Sequence, residues 1–136
     1  MAVIRQQTGM RGVFLVAAEL AARGLVVSPT SRSAFGADLL VTDDRCRRAF
    51  SVQAKTNATH STFWLLNKHS KRVASRSHVY VFVNLAENGR TVDYFVVPSK
   101  VVAKRMYTER RPGSTWYSFS RRHAIRYRNK WSVFTR

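Results

Sequence analysis

The chain has 136 residues, of which 24 are Lys or Arg and 7 are Asp or Glu, so its formal net charge is +17. This length fits a single domain with one modest hydrophobic core, and the 45% apolar composition is that of an ordinary globular protein. The positive charge far exceeds what solubility requires. It therefore predicts a polyanionic partner, and nucleic acid is the first to consider.

Several classes of protein are excluded by what the sequence lacks. Its apolar stretches are all shorter than the roughly 20 residues needed to span a bilayer, and its N-terminal residues lack the pattern of a signal peptide. We therefore expect no membrane partner and a cytoplasmic location. Cys46 is the only cysteine, which excludes an internal disulfide and a cysteine-rich zinc module, and the four histidines show no paired ligand spacing.

The first predicted element is an amphipathic helix over about residues 9 to 23, with Thr8 as the N-cap and Gly24 as the C-terminal stop. Its apolar residues recur at helical spacing and predict a buried stripe made of Met10, Val13, Phe14, Ala17, Leu20 and Ala21. Glu19 lies opposite this stripe, among small or apolar neighbours. Two interpretations of Glu19 stay open from the helix alone. One is an ion pair with Arg23, worth about 0.3–0.5 kcal/mol, and the other is a carboxylate of a functional site.

A short strand at residues 25 to 27 and a polar loop from 28 to 36 lead to the most informative segment of the chain. From residue 36 to residue 55, apolar and polar side chains alternate on both sides of a turn at 42 to 45, which predicts a β-hairpin. Because alternate side chains of a strand point to opposite faces, Gln53 and Lys55 share a face. Asp38 lies at the same turn-distal end, so a carboxylate, an amide and an ammonium group are expected to converge.

The remaining elements predict a central mixed sheet of four or five strands with helices against it. Residues 56 to 67 read as irregular or weakly helical. Residues 78 to 85 form a buried strand, 87 to 90 a turn, and 91 to 97 the strand that pairs with the first. Pro98 suits the first turn of a helix that continues to about Tyr107 and covers the second face of the sheet.

Basic residues recur through the chain in two settings. The segment from residue 68 to 72 is either a solvated charge run or a contact for a phosphate backbone, and both interpretations stay open. The tail from residue 109 to 136 interleaves bases with aromatic rings, as nucleic-acid surfaces do, yet Trp116, Phe119 and Trp131 are favoured as anchors that tie the tail to the domain. The candidate nucleic-acid contacts are Arg32, Lys68, Lys71, Arg72, Arg121 and Arg122.

The order of a helix with Glu, a strand, a strand with Asp and a strand with Q-x-K resembles the PD-(D/E)XK nuclease superfamily. Asp38 matches the motif's Asp, Gln53 its Asp/Glu position, Lys55 its Lys and Glu19 the helix acid. The sequence departs from the motif at Gln53, which resembles a minority variant of the superfamily, and at Ala37, where the motif has Pro. The resemblance implies an α/β fold with a central mixed sheet flanked by helices. The match covers about residues 8 to 97 and does not account for the basic, aromatic part at 98 to 136. Together with the length, it predicts one nuclease-like domain over residues 1 to 136, with its core at about 8 to 97.

The resemblance implies a metal-dependent endonuclease that hydrolyses DNA phosphodiester bonds, of restriction, homing or junction-resolving type. Asp38, Gln53 and Glu19 would hold Mg²⁺ or Mn²⁺, and Lys55 would orient the attacking water or neutralise charge on the phosphate. Duplex or branched DNA would be the substrate, and a homodimer would supply the second site. Two alternatives stay open: a non-cleaving nucleic-acid-binding protein with this fold, and a structural Asp38–Lys55 salt bridge worth about 0–1 kcal/mol.

Overall fold

The computed structural model describes residues 2 to 31 and 36 to 135. The strands are β1 (Val26–Pro29), β2 (Leu39–Thr42), β3 (Ala49–Asn57), β4 (Phe63–Leu66), β5 (His78–Ala86), β6 (Thr91–Pro98), β7 (Tyr107–Arg111) and β8 (Ser114–Ser120). The α-helices are α1 (Ala2–Ala22), α2 (Ser99–Arg105) and α3 (Arg121–Ala124), and short 3₁₀ helices span Lys68–Lys71, Glu87–Gly89, Ile125–Tyr127 and Trp131–Thr135. None of these helices is long and apolar enough to cross a membrane.

The central sheet has five strands in the order β1-β2-β3-β5-β6. Its strands pair antiparallel except for β3 and β5, which are parallel, so the sheet is mixed as predicted. The predicted hairpin is confirmed: Leu39 pairs with Val52 and Thr42 with Ala49. The predicted pair of later strands is also confirmed, with Phe82 opposite Phe95 at its middle.

Alternation along the strands sends side chains into a separate hydrophobic cluster on each face of this sheet. The first cluster lies between the sheet, α1 and the C-terminal 3₁₀ helix. Its members are Val13, Val16, Leu20, Leu39, Val41, Val52, Val79, Val81, Val83, Leu85, Tyr94, Val96, Trp131, Val133 and Phe134. The second cluster lies on the opposite face and consists of Trp64, Tyr80, Phe82, Phe95, Val97, Val102, Phe119 and Ala124.

A second, smaller sheet in the order β4-β8-β7 covers the opposite face, together with α2 and α3. Trp64 of β4 and Phe119 of β8 are paired residues, and both are buried. The indole N–H of Trp64 donates to the carbonyl of Val83 at 2.9 Å, which ties the small sheet to β5. The tail from residue 109 to 136 therefore contributes to both hydrophobic clusters: Phe119 and Ala124 belong to the second, and Trp131, Val133 and Phe134 belong to the first.

The small sheet corrects two predictions from the sequence. Residues 58 to 62 are irregular as predicted, but β3 continues to Asn57 and Phe63–Leu66 is β4. The predicted helix after Pro98 is α2, but it ends at Arg105, and Tyr107 already begins β7. The four residues of β4 are too few to show a clear alternation of apolar and polar side chains. Its strand conformation depends on pairing with β8, which lies far along the chain: Leu66 pairs with Tyr117, 51 residues later.

Helix α1 is confirmed, although its bounds and its buried face differ from the prediction. It begins at Ala2, so Thr8 lies inside the helix and is not its N-cap. Val13, Val16 and Leu20 are buried, whereas Met10 is 37% exposed and Phe14 is 57% exposed. Ala21 is also exposed. The predicted stripe was wrong at these positions because the buried face of the helix is turned toward Gly12 and Val16, which the stripe did not include.

Gly12 allows α1 to pack closely against β3. A Cβ atom placed on Gly12 would lie 1.7 Å from the hydroxyl oxygen of Thr56, well inside van der Waals contact. Gly12 is buried, and the Thr56 hydroxyl is also buried without a hydrogen-bond partner. The two residues therefore meet at a point where the helix backbone touches the strand.

We predict that Gly12→Ala destabilises the protein by about 1–3 kcal/mol, because a stiff β-branched side chain must move to make room for the added methyl group. Urea denaturation of the two proteins measures the effect. Gly9→Ala is the matched control, since nothing lies within 4 Å of a Cβ at Gly9, and it should stabilise the helix by about 0.5–1 kcal/mol. Equal stability of Gly12→Ala and wild type would contradict the close contact.

Candidate active site

Asp38 is positioned by the strands on both sides of it. It lies immediately before β2, where its backbone N–H donates to Val52 at 2.7 Å and its carbonyl accepts from the N–H of Thr30 at 2.9 Å. The Thr30 hydroxyl donates to the carbonyl of Ala37 at 2.6 Å. These bonds fix the backbone of Asp38 between the end of β1 and the middle of β3.

The carboxylate of Asp38 accepts two hydrogen bonds from β3 through the same oxygen. The backbone N–H of Ala54 donates to Oδ2 at 2.8 Å, and the side-chain amide of Gln53 donates to Oδ2 at 2.9 Å. Asp38 and Gln53 are therefore in direct contact, as the hairpin geometry predicts. The Gln53 side chain meets Asp38 with its nitrogen, and its amide oxygen is not the atom in this contact.

Lys55 completes the group, and its environment disfavours its charge. Burial lowers the pKa of Lys55 below its usual value, while the negative charge of Asp38 raises it. Burial likewise raises the pKa of Asp38, and the Ala54 N–H and Lys55 lower it. Asp38 and Lys55 attract each other but form no direct salt bridge. The salt bridges among the described residues all join other pairs of side chains.

A one-turn 3₁₀ helix, Lys68–Lys71, forms the wall opposite Gln53 and Lys55. Asn67 caps it, since its side-chain oxygen accepts from the N–H of His69 at 2.9 Å. The cavity that Gln53 and Lys55 line is completed by Gly36, Asn67, His69, Ser70, Val73 and Tyr80. These wall residues were not identified from the sequence. Tyr80 was identifiable in principle, because it pairs with Gln53 in the parallel register and so shares its face.

Glu19 is not brought to this group. Its carboxylate pairs with the guanidinium of Arg23 at 2.6 Å, and that guanidinium lies 4.5 Å from the ring centroid of Trp131. Helix α1 packs against the face of the sheet that carries Val52, whereas Gln53 and Lys55 point to the other face. Across the described ranges, no cluster of three or more His, Cys, Asp or Glu side chains is placed to hold a metal ion.

The structure has two basic clefts, and the first of them adjoins the site. The first is lined by Lys68, Lys71, Arg72, Arg110 and Arg111, with Tyr117 and several small residues. It adjoins the site because the 3₁₀ helix that carries Lys68 and Lys71 also carries His69 and Ser70. The second cleft is lined by Lys104, Arg105, Arg122 and Arg126 with His123 and Tyr127. The described lining of both clefts contains no carboxylate.

Most of the predicted nucleic-acid contacts are divided between the two basic clefts. Lys68, Lys71 and Arg72 line the first cleft, and Arg122 lines the second. Arg121 is partly buried, with its guanidinium 5.7 Å from the ring centroid of Phe95. Arg32 lies outside the described residues.

Of the three aromatic anchors expected in the tail, Phe119 and Trp131 are buried, but Trp116 is 43% exposed and is no anchor of the core.

The Asp38–Gln53 contact predicts the behaviour of Gln53→Glu. Two carboxylates would then meet where an amide now donates at 2.9 Å, so the variant should be less stable than wild type by about 1–3 kcal/mol at pH 7. The loss should shrink as the pH falls and one carboxylate is protonated. Thermal unfolding across pH, with and without Mg²⁺, measures both effects.

A divalent ion should recover more stability in Gln53→Glu than in wild type, because an ion that binds the folded state more tightly stabilises it more. The double variant Asp38→Asn/Gln53→Glu is the matched control, since it returns the pair to a single negative charge. It should recover most of the lost stability without metal. A single variant that is as stable as wild type at every pH would contradict the contact.

Comparisons with known proteins point to the same fold. No family model matches the chain, and the search of curated proteins finds no match. The chain is similar in structure to Hjc of Archaeoglobus fulgidus, described as a Holliday junction resolvase from an archaeal hyperthermophile. The TM-score is 0.53 at 11% sequence identity, over 86% of this chain and 87% of that chain. The chain therefore has the restriction-endonuclease-like α/β fold, as the resemblance implied, with a mixed central sheet flanked by helices.

Proposed function

We propose that this chain is a metal-dependent endonuclease that hydrolyses DNA phosphodiester bonds, of restriction, homing or junction-resolving type. The proposal depends on one observation: Asp38, Gln53 and Lys55 converge at the end of β3, with the Asp38 carboxylate fixed by the Ala54 N–H at 2.8 Å. The restriction-endonuclease-like fold supports this interpretation. A Holliday junction resolvase with a similar fold favours branched DNA among the possible substrates.

The donor atoms at the site fit Mg²⁺ or Mn²⁺. These ions prefer oxygen ligands and bind through one or two carboxylates together with waters and substrate phosphates. Asp38 supplies the carboxylate, and Gln53 supplies its amide oxygen once the amide turns over. When bound, such an ion polarises the phosphate as a Lewis acid. Glu19 is left out of this ligand set because its carboxylate is paired with Arg23 on the other face of the sheet.

Lys55 has the role of a phosphate ligand in the proposed reaction. Its ammonium group is partly removed from water, which strengthens its interaction with charge that develops on a phosphoryl oxygen. The negative charge of Asp38 raises the pKa of Lys55 and so opposes the effect of burial. The attraction between the two groups therefore favours the charged form of each.

The first basic cleft positions the DNA backbone in this proposal. Lys68 and Lys71 extend from the same 3₁₀ helix that lines the site, so a strand that contacts them passes close to Lys55. The second cleft, with Arg122, accommodates a further segment of backbone. A homodimer that presents two such sites, and a cytoplasmic location, complete the proposal.

A second function is favoured by the charge of the site. Among the residues that the structure describes, Asp38 is the one carboxylate that contacts Gln53, and Gln53 approaches it as a hydrogen-bond donor. A site of this kind binds divalent ions weakly in the absence of DNA. The alternative is therefore a protein that binds nucleic acid through its basic clefts without cutting it.

We predict that Asp38→Ala and Lys55→Ala each lower Mg²⁺- or Mn²⁺-dependent cleavage by more than about 100-fold, because each removes a group that acts at the phosphate. DNA binding in the absence of metal should remain within about threefold of wild type, since most phosphate contacts lie in the basic clefts. Gel assays on supercoiled, linear and branched DNA measure cleavage, and fluorescence anisotropy measures binding.

Glu19→Gln is the matched control for these variants, and it should cleave like wild type. A large loss of cleavage in Glu19→Gln would return Glu19 to the site. If wild type binds DNA but cleaves none of the three substrates with either ion, the endonuclease proposal fails and the non-cleaving alternative stands.

We also predict that DNA binding weakens steeply with salt, because each Lys or Arg at a phosphate releases counterions. The variant Lys68→Gln/Lys71→Gln should lower the slope of log K against log salt by about 2. Arg47→Gln is the control: Arg47 is already paired with Asp43 at 3.7 Å, in the hairpin turn, and the slope should not change. A slope that is the same in all three proteins would remove the first cleft from the interface.

A further inference from the structure

An apolar pocket lies beside Lys55 and has no role in the proposed reaction. We call it the Trp116 pocket; its lining includes Ile4, Arg5, Lys55, Trp64, Leu65 and Trp116. Three of these side chains are large, apolar and exposed: Ile4 is 60% exposed, Leu65 52% and Trp116 43%. Lys55 lines both this pocket and the candidate active site. The two cavities therefore share a wall.

Trp116 is held in a defined orientation on the outer face of the small sheet. It pairs with Glu109 across β7 and β8, and Glu109 binds the guanidinium of Arg111 at 2.9 Å. That guanidinium lies 5.0 Å from the centroid of the Trp116 ring, and the indole N–H donates to the hydroxyl of Ser114 at 3.2 Å. One face of the ring is thus covered by a cation and its edge is fixed.

The other tryptophans differ from Trp116 in burial. Trp64 is 1% exposed and Trp131 is 7% exposed, and both belong to the hydrophobic clusters. Trp116 belongs to neither cluster. An exposed indole that is fixed by an ion pair and an N–H bond is suited to a flat ligand rather than to core packing.

The chemistry of the pocket selects the ligand. Arg5 and Lys55 stand on its rim, Arg111 lies behind the indole, and the whole chain carries a net charge of +17. A second copy of the chain seated here by a two-fold axis would bring these like charges together. A flat apolar group attached to a polyanion would fit both the exposed indole and the positive charges around it. An unpaired nucleobase of DNA is such a group.

We propose that the Trp116 pocket stacks an unpaired nucleobase of the DNA strand whose phosphate lies at Lys55. The proposal rests on the proposed function and narrows its substrate class. The base of a paired nucleotide is held inside the duplex, whereas a base at a branch point, a flap or a bulge is free to enter the pocket. The protein should therefore prefer DNA with unpaired bases next to a duplex.

Three DNA molecules test this preference without metal, in EDTA: a duplex with a two-nucleotide bulge, the same bulge with abasic nucleotides, and the fully paired duplex. Wild type should bind the base-bearing bulge roughly tenfold more tightly than the abasic one, since their phosphates are alike and only the bases differ. Trp116→Ala should abolish this difference, and Trp116→Phe should keep most of it. Phe14→Ala is the control, because Phe14 is an exposed aromatic outside the pocket and its variant should behave as wild type.

Tryptophan fluorescence supplies an independent measurement. Because Trp64 and Trp131 are buried, the difference in emission between wild type and Trp116→Phe reports Trp116. That emission should be quenched by the base-bearing bulge and not by the abasic one. Sedimentation of wild type and Trp116→Ala without DNA shows whether the oligomeric state changes.

The proposal is overturned if wild type binds the two bulges equally, or if Trp116→Ala weakens all three DNA molecules by the same factor. It is also overturned if Trp116→Ala converts a dimer into a monomer, since the pocket is then an interface between copies. These outcomes are separate from failure of the proposed function, because binding is measured without metal. A base-dependent preference with no cleavage would support the stacking site and remove the endonuclease.

Discussion

The strand β3 imposes the arrangement on which the site depends. It pairs with β2 on one side and with β5 on the other, so its backbone cannot slide or turn without breaking two ladders. Because its side chains alternate, Val52 is buried beneath α1 while Gln53 and Lys55 emerge on the opposite face. A shift of one residue would bury the lysine in the first cluster and expose the valine. The same packing that stabilises the sheet therefore fixes the candidate site.

Asp38 and Lys55 are partly buried without forming a direct salt bridge. Burial disfavours the charges of both Asp38 and Lys55, and each is supported by the other and, for Asp38, by the Ala54 N–H. A purely structural pair would make its direct ion pair, as Arg128 and Asp93 do elsewhere in the chain. Charged groups that are partly desolvated and incompletely paired mark sites that interact with a ligand. This interpretation favours function over a structural role for the two residues.

Local patterns were sufficient for the part of the fold that depends on local periodicity. The hairpin, the strands β5 and β6 and the existence of α1 follow from alternation and helical spacing, and they placed Asp38 beside Gln53. The ion pair of Glu19 with Arg23, one of the two interpretations open from the helix, is the one that the structure shows. Structure that depends on distant partners was not predictable in this way: β4 is a strand because β8 lies beside it. The exposure of Trp116 was also missed, since a tryptophan in a sequence indicates burial on average.

In the proposed endonuclease, the charge of the site would set the order in which its ligands bind. Lys55 opposes the attraction of the Asp38 carboxylate for a divalent cation, and so does the net charge of +17 on the chain. A motif with a carboxylate at the position of Gln53 would add one negative charge beside Asp38; in the proposed endonuclease that charge would have to come from the DNA. Phosphates bound in the first cleft would reverse the local potential and supply further oxygen ligands. The proposed endonuclease would therefore bind its metal tightly only after DNA, and hydrolysis would be confined to a strand that already lies along Lys68 and Lys71.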